Sequence, residues 1–259
     1  MRSLRMGQGL TVLSLAAIFL LGIAAQRSGL IDQVLKYRGD IAFLTRQHMR
    51  LVAISGGLAI AVGVPLGLWL SRPRMRRSAE SIMQVLNLGS TIPTLAVLAL
   101  AMSLLGIGAV PAIFGLWVAS LLPIVRNTYA GVLGVPAHYI EAANGMGMRP
   151  MQILSGVELP NALFVTFAGI RTALAINVGT APLAFLIGGG GLGELIFTGI
   201  DLNEPGMMLA GAIPTALLAV LVDFAVGAVA YWVVPRGVNP LRGEGPSRRR
   251  QNIIIGGGK

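Results

Sequence analysis

Side chains able to perform catalysis or to bind metal are few in this sequence and lie far apart. The two histidines, His48 and His138, are near no acidic cluster, and the chain contains no cysteine, so neither a metal site nor thiolate chemistry is indicated. The two lysines, Lys36 and Lys259, do not follow a glycine-rich turn, which excludes the GxxxxGK[ST] loop that binds nucleotide phosphates. No Ser/His/Asp set or carboxylate pair emerges either. We therefore expect no catalytic residue, no bound metal and no cofactor in this chain.

Three strongly polar residues, Arg171, Asn177 and Asp223, fall within long apolar segments. A charge inside a bilayer is costly and usually faces the interior of a helix bundle or an opposite charge. An ion pair between Arg171 and Asp223 on neighbouring helices would therefore satisfy both residues. The alternative is a direct role in substrate passage or in proton relay.

The elements that must position these residues are predicted membrane helices. Only 12% of the 259 residues are charged, against about 25% in a soluble domain. Segments 6–26, 51–71, 81–125 and 172–193 carry no charge at all, and about 20 apolar residues suffice for a helix to cross the hydrocarbon core. The sequence thus predicts an all-α, polytopic helical membrane protein with about six transmembrane helices. The predicted spans are 9–25, 50–70, 81–104, 110–129, 163–187 and 208–234.

The basic residues indicate how these spans are oriented. With the amino terminus inside, the cytoplasmic segments include "SRPRMRRSAE" (71–80) and the tail sequence "RGEGPSRRR", as the positive-inside rule requires. This placement explains the net charge of +10 without nucleic acid, because a nucleic-acid-binding face would be contiguous and attached to a soluble fold. We expect a membrane protein that binds no nucleic acid.

Three regions are predicted along the chain. Residues 1–49 contain an amino-terminal anchor helix, or alternatively a signal peptide, followed by an outer-surface or interfacial helix over 26–49. Residues 50–235 form the transmembrane domain, with a cytoplasmic loop at 131–162, and residues 236–259 form a basic cytoplasmic tail. The glycine-rich stretch "IGGGGLGELI" (187–196) is predicted to be a tight re-entrant or turn-forming loop on the outer side.

The cytoplasmic loop has a pattern of helix starts and breaks. Pro136 suits the first turn of a helix, and Gly145 and Gly147 should break that helix. Pro150 can start a second short helix, and Pro160 is expected to end the unit before the fifth span. Met146, Met148 and Met151 add adaptable apolar contact surface. The pattern fits a helix–turn–helix knob and, equally well, an amphipathic connector lying on the membrane surface.

The stretch "EAANGMGMRPMQILSGVELP" (141–160) resembles the EAA loop of permease subunits of binding-protein-dependent ABC importers, whose pattern is EAA-x3-G-x9-I-x-L-P. The matching residues are Glu141, Ala142, Ala143, Gly147, Leu159 and Pro160, and Val157 replaces the isoleucine. The resemblance implies a type I ABC importer permease fold over the transmembrane domain. It also implies that the loop helices dock in a groove of a separate ATP-binding subunit, which binds the ATP.

Further stretches resemble permeases of the osmoprotectant group, which import glycine betaine, choline, carnitine or related quaternary ammonium compounds. They are "LLPIVRNTYAGV" (121–132), "EAANGMGM" (141–148) and "GIRTALAINVGTAPLAFLIGGGGLGELI" (169–196). The resemblance implies a pore built by two copies of this chain, or by this chain and a similar subunit, in the bacterial inner membrane. An extracytoplasmic solute-binding protein would deliver the solute to outer loops around Gly188–Glu194. Another small solute such as an amino acid, a stand-alone secondary carrier and a structural or assembly subunit are the alternatives.

The resemblance also implies roles for individual loop residues. Glu141 would anchor the loop through a charge-assisted contact, while Ala142 and Ala143 would permit close approach by another surface. Gly147 would form the turn, and Leu159 with Pro160 would return the chain to the fifth span. For the pore itself, Trp117 and Tyr129 are candidate contacts, with ordinary packing as the favoured alternative. Aromatic residues number only 15, so we expect the binding protein to set most of the selectivity, since quaternary ammonium sites use aromatic cages.

Overall fold

A computed structural model describes residues 30–239, and this part of the chain is helical throughout, without a strand. The predicted all-α class is therefore confirmed. The α-helices are α1 Leu30–Lys36, α2 Arg38–Leu70, α3 Arg76–Thr91, α4 Thr94–Leu105, α5 Ala109–Leu133, α6 Ala137–Gly145, α7 Pro150–Ile153, α8 Leu159–Thr180, α9 Gly193–Asp201 and α10 Pro205–Val233. Two 3-10 helices cover Pro73–Met75 and Ala181–Ile187, and a π-helical segment covers Leu154–Glu158.

Four helical stretches in the described residues are long and apolar enough to cross a membrane. They are Arg38–Leu70, Ala109–Leu133, Pro150–Ile187 and Pro205–Val233. They correspond to the predicted second, fourth, fifth and sixth spans. The predicted first span, 9–25, lies outside the described residues, as does most of the predicted basic tail.

The predicted third span, 81–104, is a bent pair of helices instead of one straight helix. Residues 77–89 of α3 and 94–105 of α4 meet at an angle of 94°. The break is at Ile92 and Pro93, where Ile92 is extended with ψ of 124°. A proline disfavours helical geometry in the residue before it and donates no backbone hydrogen bond. The bend therefore follows directly from Pro93.

The predicted boundary between residues 49 and 50 is wrong, because α2 runs through it without interruption. The separate interfacial helix expected over 26–49 is reduced to α1, of 7 residues, and α2 begins at Arg38 and extends over 33 residues. No glycine or proline interrupts the stretch 40–55, so nothing stops the helix at the membrane edge. At 1.5 Å per residue, α2 is about 50 Å long, longer than a hydrocarbon core of about 30 Å.

The centre of the bundle consists of α2, α5 and α8, held close together at glycines. A Cβ atom on Gly67 of α2 would lie 2.6 Å from the Cβ of Thr128 on α5. Likewise, a Cβ on Gly169 of α8 would lie 2.8 Å from the carbonyl oxygen of Pro123 on α5. Small residues allow such close backbone approach between membrane helices, where van der Waals packing drives association. These three helices therefore form the scaffold that positions the polar residues and the loop.

Candidate coupling site and intramembrane polar residues

The predicted cytoplasmic loop begins with a short helix that ends in a glycine turn. Pro136 precedes α6 with extended geometry, φ −58° and ψ 134°. At the end of α6, the backbone N–H of Met148 donates to the carbonyl of Ala143 at 3.1 Å. Gly147 has φ of +75°, a left-handed conformation that glycine adopts without steric cost. Gly145 is the last residue of α6 and has no such requirement.

The second half of the loop leads into α8 through a continuous helical path. Pro150 starts α7, and the side chain of Gln152 accepts a hydrogen bond from the N–H of Arg149 at 2.8 Å. The helix then widens into the π-helical segment Leu154–Glu158. The expectation that Pro160 ends the unit is wrong, because Pro160 lies in the first turn of α8. A proline ring clashes with the preceding turn of an ordinary helix, and the wider π turn relieves that clash.

The loop presents apolar side chains to its surroundings. Met146 and Met151 are 74% and 72% exposed, and Tyr139 is 48% exposed. Glu141, Ala142 and Gly147 are exposed beside them. Methionines adapt well to a partner's surface, and exposed apolar clusters mark interaction sites. We name this surface, made by Tyr139, Glu141, Ala142, Met146, Gly147 and Met151, the loop surface.

Other residues of the EAA pattern, Ala143, Leu159 and Pro160, are packed against other parts of this chain. Ala143 is only 1% exposed, and its helix α6 packs against the π-helical segment. The close approach that Ala143 permits is therefore an internal one, in contrast to the expected contact with another protein. Leu159 and Pro160 are half-buried at the start of α8.

An ion pair at the inner end of the scaffold was not predicted. Arg72 Nη1 lies 2.6 Å from Glu158 Oε2, and the two side chains are 27% and 13% exposed. Arg72 is the first charged residue after the second predicted span, and Glu158 lies inside the EAA pattern. The sequence shows only that the two residues carry opposite charges and lie on the same predicted side of the membrane. No sequence rule pairs residues that are so far apart in the chain.

The predicted pair between Arg171 and Asp223 is present and links α8 to α10. Arg171 Nε donates to Asp223 Oδ1 at 2.8 Å, and Nη2 donates to Oδ2 at 2.5 Å. This two-bond arrangement is the strong geometry for a guanidinium and a carboxylate. The two bonds pair both charges, which agrees with the interpretation of Arg171 and Asp223 as a structural ion pair.

Asn177 is the centre of a buried hydrogen-bond network joining the three scaffold helices. It is 1% exposed, and its Nδ2 donates to Ser55 Oγ at 2.9 Å and to Ser120 Oγ at 2.7 Å. Ser55 belongs to α2 and Ser120 to α5. Neither serine is distinguished in the sequence, because a serine hydroxyl in a helix can bond to a carbonyl of its own helix and so gives no signal of a partner on another helix.

Trp117 and Tyr129, the candidate pore contacts, are placed in apolar clusters of this chain. Trp117 packs beside the cluster around Ile124, with its ring 5.6 Å from that of Phe114. Tyr129 packs against the cluster around Leu70. Both positions agree with packing inside the subunit.

The glycine-rich stretch forms a tight turn on the predicted outer side. Gly188, Gly190 and Gly191 have φ of +79°, +74° and +89°. A Cβ on Gly193 would lie 2.0 Å from a backbone carbonyl oxygen of the preceding 3-10 helix. Gln47 of α2 holds the turn, because its Oε1 accepts a hydrogen bond from the N–H of Gly191 at 3.1 Å. The expectation of a turn-forming loop is confirmed.

A second outer contact joins α1 to the start of α10. The hydroxyl of Tyr37 donates a hydrogen bond to Glu204 Oε2. This bond to the carboxylate, together with burial and the nearby negative charge, raises the pKa of Tyr37 above its usual value. The hydroxyl ties the residue between α1 and α2 to the residue before α10.

An open cavity of about 390 Å³ lies between α3, α4 and α5. Its lining is apolar apart from Thr94, and α8 contributes Ile176. The bent pair leaves large apolar side chains uncovered beside it, including Val85 and Leu88, each 68% exposed. The cavity is thus open on a side that residues 30–239 do not close.

The bundle of long apolar helices defines the class of the protein as an integral membrane protein. The chain belongs to the family of binding-protein-dependent transport system inner membrane components, which it matches over residues 63–236. The resemblance stated from the EAA pattern is confirmed, and the protein is an inner-membrane protein.

Individual relatives agree with this family. The osmoprotectant import permease protein OsmY of Salmonella typhimurium is 52% identical over 219 residues, which are 84% of this chain and 90% of that protein. The choline transport system permease protein OpuBB of Bacillus subtilis is 41% identical over 204 residues, 79% of this chain and 93% of that protein. The fold is similar to an inward-facing structure of the MetNI methionine ABC transporter, with a TM-score of 0.67 at 24% identity, covering 77% of this chain and 99% of that chain.

Proposed function

We propose that this chain forms the translocation pore of an ABC importer for a quaternary ammonium osmoprotectant such as glycine betaine, choline or carnitine. The names of its relatives support this solute class. One is an osmoprotectant import permease and another a choline transport permease, and a third, from Listeria monocytogenes and 42% identical, is a carnitine transport permease. Import of another small solute is the alternative, because the protein with the similar fold is a methionine transporter.

The observation that carries the proposal is the loop surface. Two methionines more than 70% exposed stand beside the exposed Glu141 on the predicted cytoplasmic side. Such a surface is suited to the groove of a partner protein, and the EAA pattern identifies the partner as an ATP-binding subunit. ATP is then bound and hydrolysed by that partner, and this chain serves as the non-catalytic transport subunit without a cofactor of its own.

Glu141 and Gly147 have distinct roles in this docking. Glu141 accepts a charge-assisted hydrogen bond from a basic or backbone donor of the partner, worth more than a neutral one. Gly147 sets the direction in which the chain leaves α6. Leu159 and Pro160 carry movement of the loop into α8, with which they are continuous.

A second permease subunit completes the pore. The cavity between α3, α4 and α5 is open on one side, and its uncovered apolar wall needs a protein surface or lipid against it. We propose that a second copy, or a similar subunit, faces this wall, so that the solute passes between the two. An extracytoplasmic binding protein delivers the solute to outer loops that include Gly188–Glu194.

The apolar lining supports a low-affinity path through the membrane. Trp117 and Tyr129 pack inside the subunit, so they do not form an aromatic cage for the ammonium group. Selectivity then lies mainly in the binding protein. Rocking of the scaffold helices between inward- and outward-open states needs no tight site in the pore.

Two glycines of the loop give a matched test of docking. Gly147→Ala forces an alanine into φ of +75°, which costs about 1–2 kcal/mol, whereas Gly145→Ala adds the same methyl group in the helix. Neither new Cβ atom meets another atom within 4 Å. We expect Gly147→Ala to reduce co-purification of the ATP-binding subunit and ATP-driven betaine uptake, and Gly145→Ala to leave both unchanged. Equal behaviour of the two variants, or full docking by Gly147→Trp, would contradict the assigned turn.

A further inference from the structure

Arg72 is fixed to the inner end of α2 through its own helix. Its Nε donates to the carbonyl of Leu68 at 3.1 Å, and its Nη2 donates to Ser71 Oγ at 2.9 Å. A cation at the carboxyl end of a helix is also favoured by the helix dipole. The third nitrogen, Nη1, forms an ion pair with Glu158 Oε2, 2.6 Å away.

Glu158 lies where the loop becomes a membrane helix. It is the last residue of the π-helical segment and immediately precedes α8. Its side chain is 13% exposed, so water screens the pair less than it would a surface pair. The ion pair therefore connects the end of the cytoplasmic loop to the inner end of α2, a helix that is not adjacent to the loop in sequence.

The π-helical segment lies between the loop surface and the ion pair. π turns are rare in helices and often occur at functional sites. This one contains Gly156, and its neighbours hold it by side-chain bonds, from Ser155 Oγ to the Met151 carbonyl at 2.9 Å and from Asn161 Nδ2 to the Val157 carbonyl at 2.7 Å. Glu158 is the last residue of this segment, so the ion pair holds the end that leads into α8 against the inner end of α2.

We propose that Arg72 and Glu158 are positioning residues that transmit displacement of the loop surface to α2, so that ATP hydrolysis by the partner is coupled to solute movement. The inference rests on the proposed function. From α2 the displacement passes to α5 at the close approach of Gly67 and Thr128. The scaffold helices then move together with α8 instead of α8 moving alone.

The test is the ratio of solute imported to ATP hydrolysed by the complete transporter in proteoliposomes, with its binding protein present. Arg72→Gln and Glu158→Gln each remove one charge, and we expect each to lower the ratio about fivefold, the lower end of typical coupling between sites. Co-purification of the ATP-binding subunit and the ATPase rate should be retained. Arg74→Gln, an exposed neighbour on the same turn, is the matched control and should leave the ratio unchanged.

A covalent link provides the rescue. This chain has no cysteine, so Arg72→Cys with Glu158→Cys can be bridged specifically by a short bifunctional thiol reagent when the partner subunits also lack cysteine. We expect the double variant to be uncoupled before bridging and to regain most of the wild-type ratio afterwards.

The outcomes separate this proposal from the function on which it rests. An unchanged ratio in both glutamine variants, or a failure of the bridge to restore it, overturns the transmitting role. Loss of docking together with ATPase activity overturns it too, because the pair would then serve only the fold. A wild-type chain without any ATP-driven uptake would instead refute the proposed function, and with it the inference.

Discussion

Replacing Asn177 with leucine removes the centre of the hydrogen-bond network that joins α2, α5 and α8. Two bonds are lost, from Nδ2 to Ser55 Oγ at 2.9 Å and to Ser120 Oγ at 2.7 Å. Interhelical hydrogen bonds in membrane proteins contribute about 0.6 kcal/mol on average and up to about 1.7 kcal/mol. The variant should therefore lose about 1–3 kcal/mol of unfolding free energy.

The other hydrogen bonds of Ser55 and Ser120 determine where in that range the loss of unfolding free energy falls. Ser55 Oγ also donates to the Leu51 carbonyl at 2.7 Å, and Ser120 Oγ donates to the Leu116 carbonyl at 2.8 Å. Each hydroxyl keeps one bond after Asn177 is replaced, so neither is left without a partner. We therefore expect about 1–2 kcal/mol for Asn177→Leu.

A triple variant distinguishes hydrogen bonding from packing. In Ser55→Ala/Asn177→Leu/Ser120→Ala, all three polar partners are removed together, whereas Ser55→Ala/Ser120→Ala leaves the buried Asn177 amide without both serines and should be the less stable of the two. Equilibrium unfolding in mixed micelles, followed by circular dichroism, measures all three variants. A cost below about 0.3 kcal/mol for Asn177→Leu, or a double serine variant that is as stable as the triple variant, would refute the network's role.

The same unfolding measurement tests two further positions. Asp223→Ala leaves Arg171 without its partner in the membrane and should be less stable than the double variant Arg171→Met/Asp223→Met, because an unpaired charge costs more than an apolar pair; the opposite order would contradict the assignment of a structural ion pair. Gly193→Ala places a Cβ 2.0 Å from a backbone oxygen and should destabilise the outer turn by about 1–3 kcal/mol, whereas Gly179→Ala, whose Cβ would meet no atom within 4 Å, should not.

Features set by local sequence could be predicted. Uncharged segments identified the membrane helices, and the loop's Pro136, Gly147 and Pro150 indicated where its short helices begin and end. The pairing of Arg171 with Asp223 was also predictable, because each is a charge in an apolar span with few possible partners. In such cases the type of residue alone restricts the backbone conformation or the partner that is possible.

Features that depend on packing between distant helices could not be predicted. The π-helical segment before Pro160 has no sequence rule that separates it from a helix end. Glu158 and Arg72 are paired only because α2 and α8 lie side by side in the scaffold. The polar residues before residue 50 predict a boundary there, but polarity alone does not end a helix, and α2 begins at Arg38.

In the proposed function, ATP hydrolysis by a partner subunit drives transport through this chain. The most direct measurement is betaine uptake by proteoliposomes that contain this chain, its ATP-binding subunit and its solute-binding protein. We expect uptake to require ATP and the binding protein, and to stop when the partner is replaced by a variant that binds ATP but cannot hydrolyse it. Uptake by this chain alone, driven by a proton or sodium gradient, would contradict it.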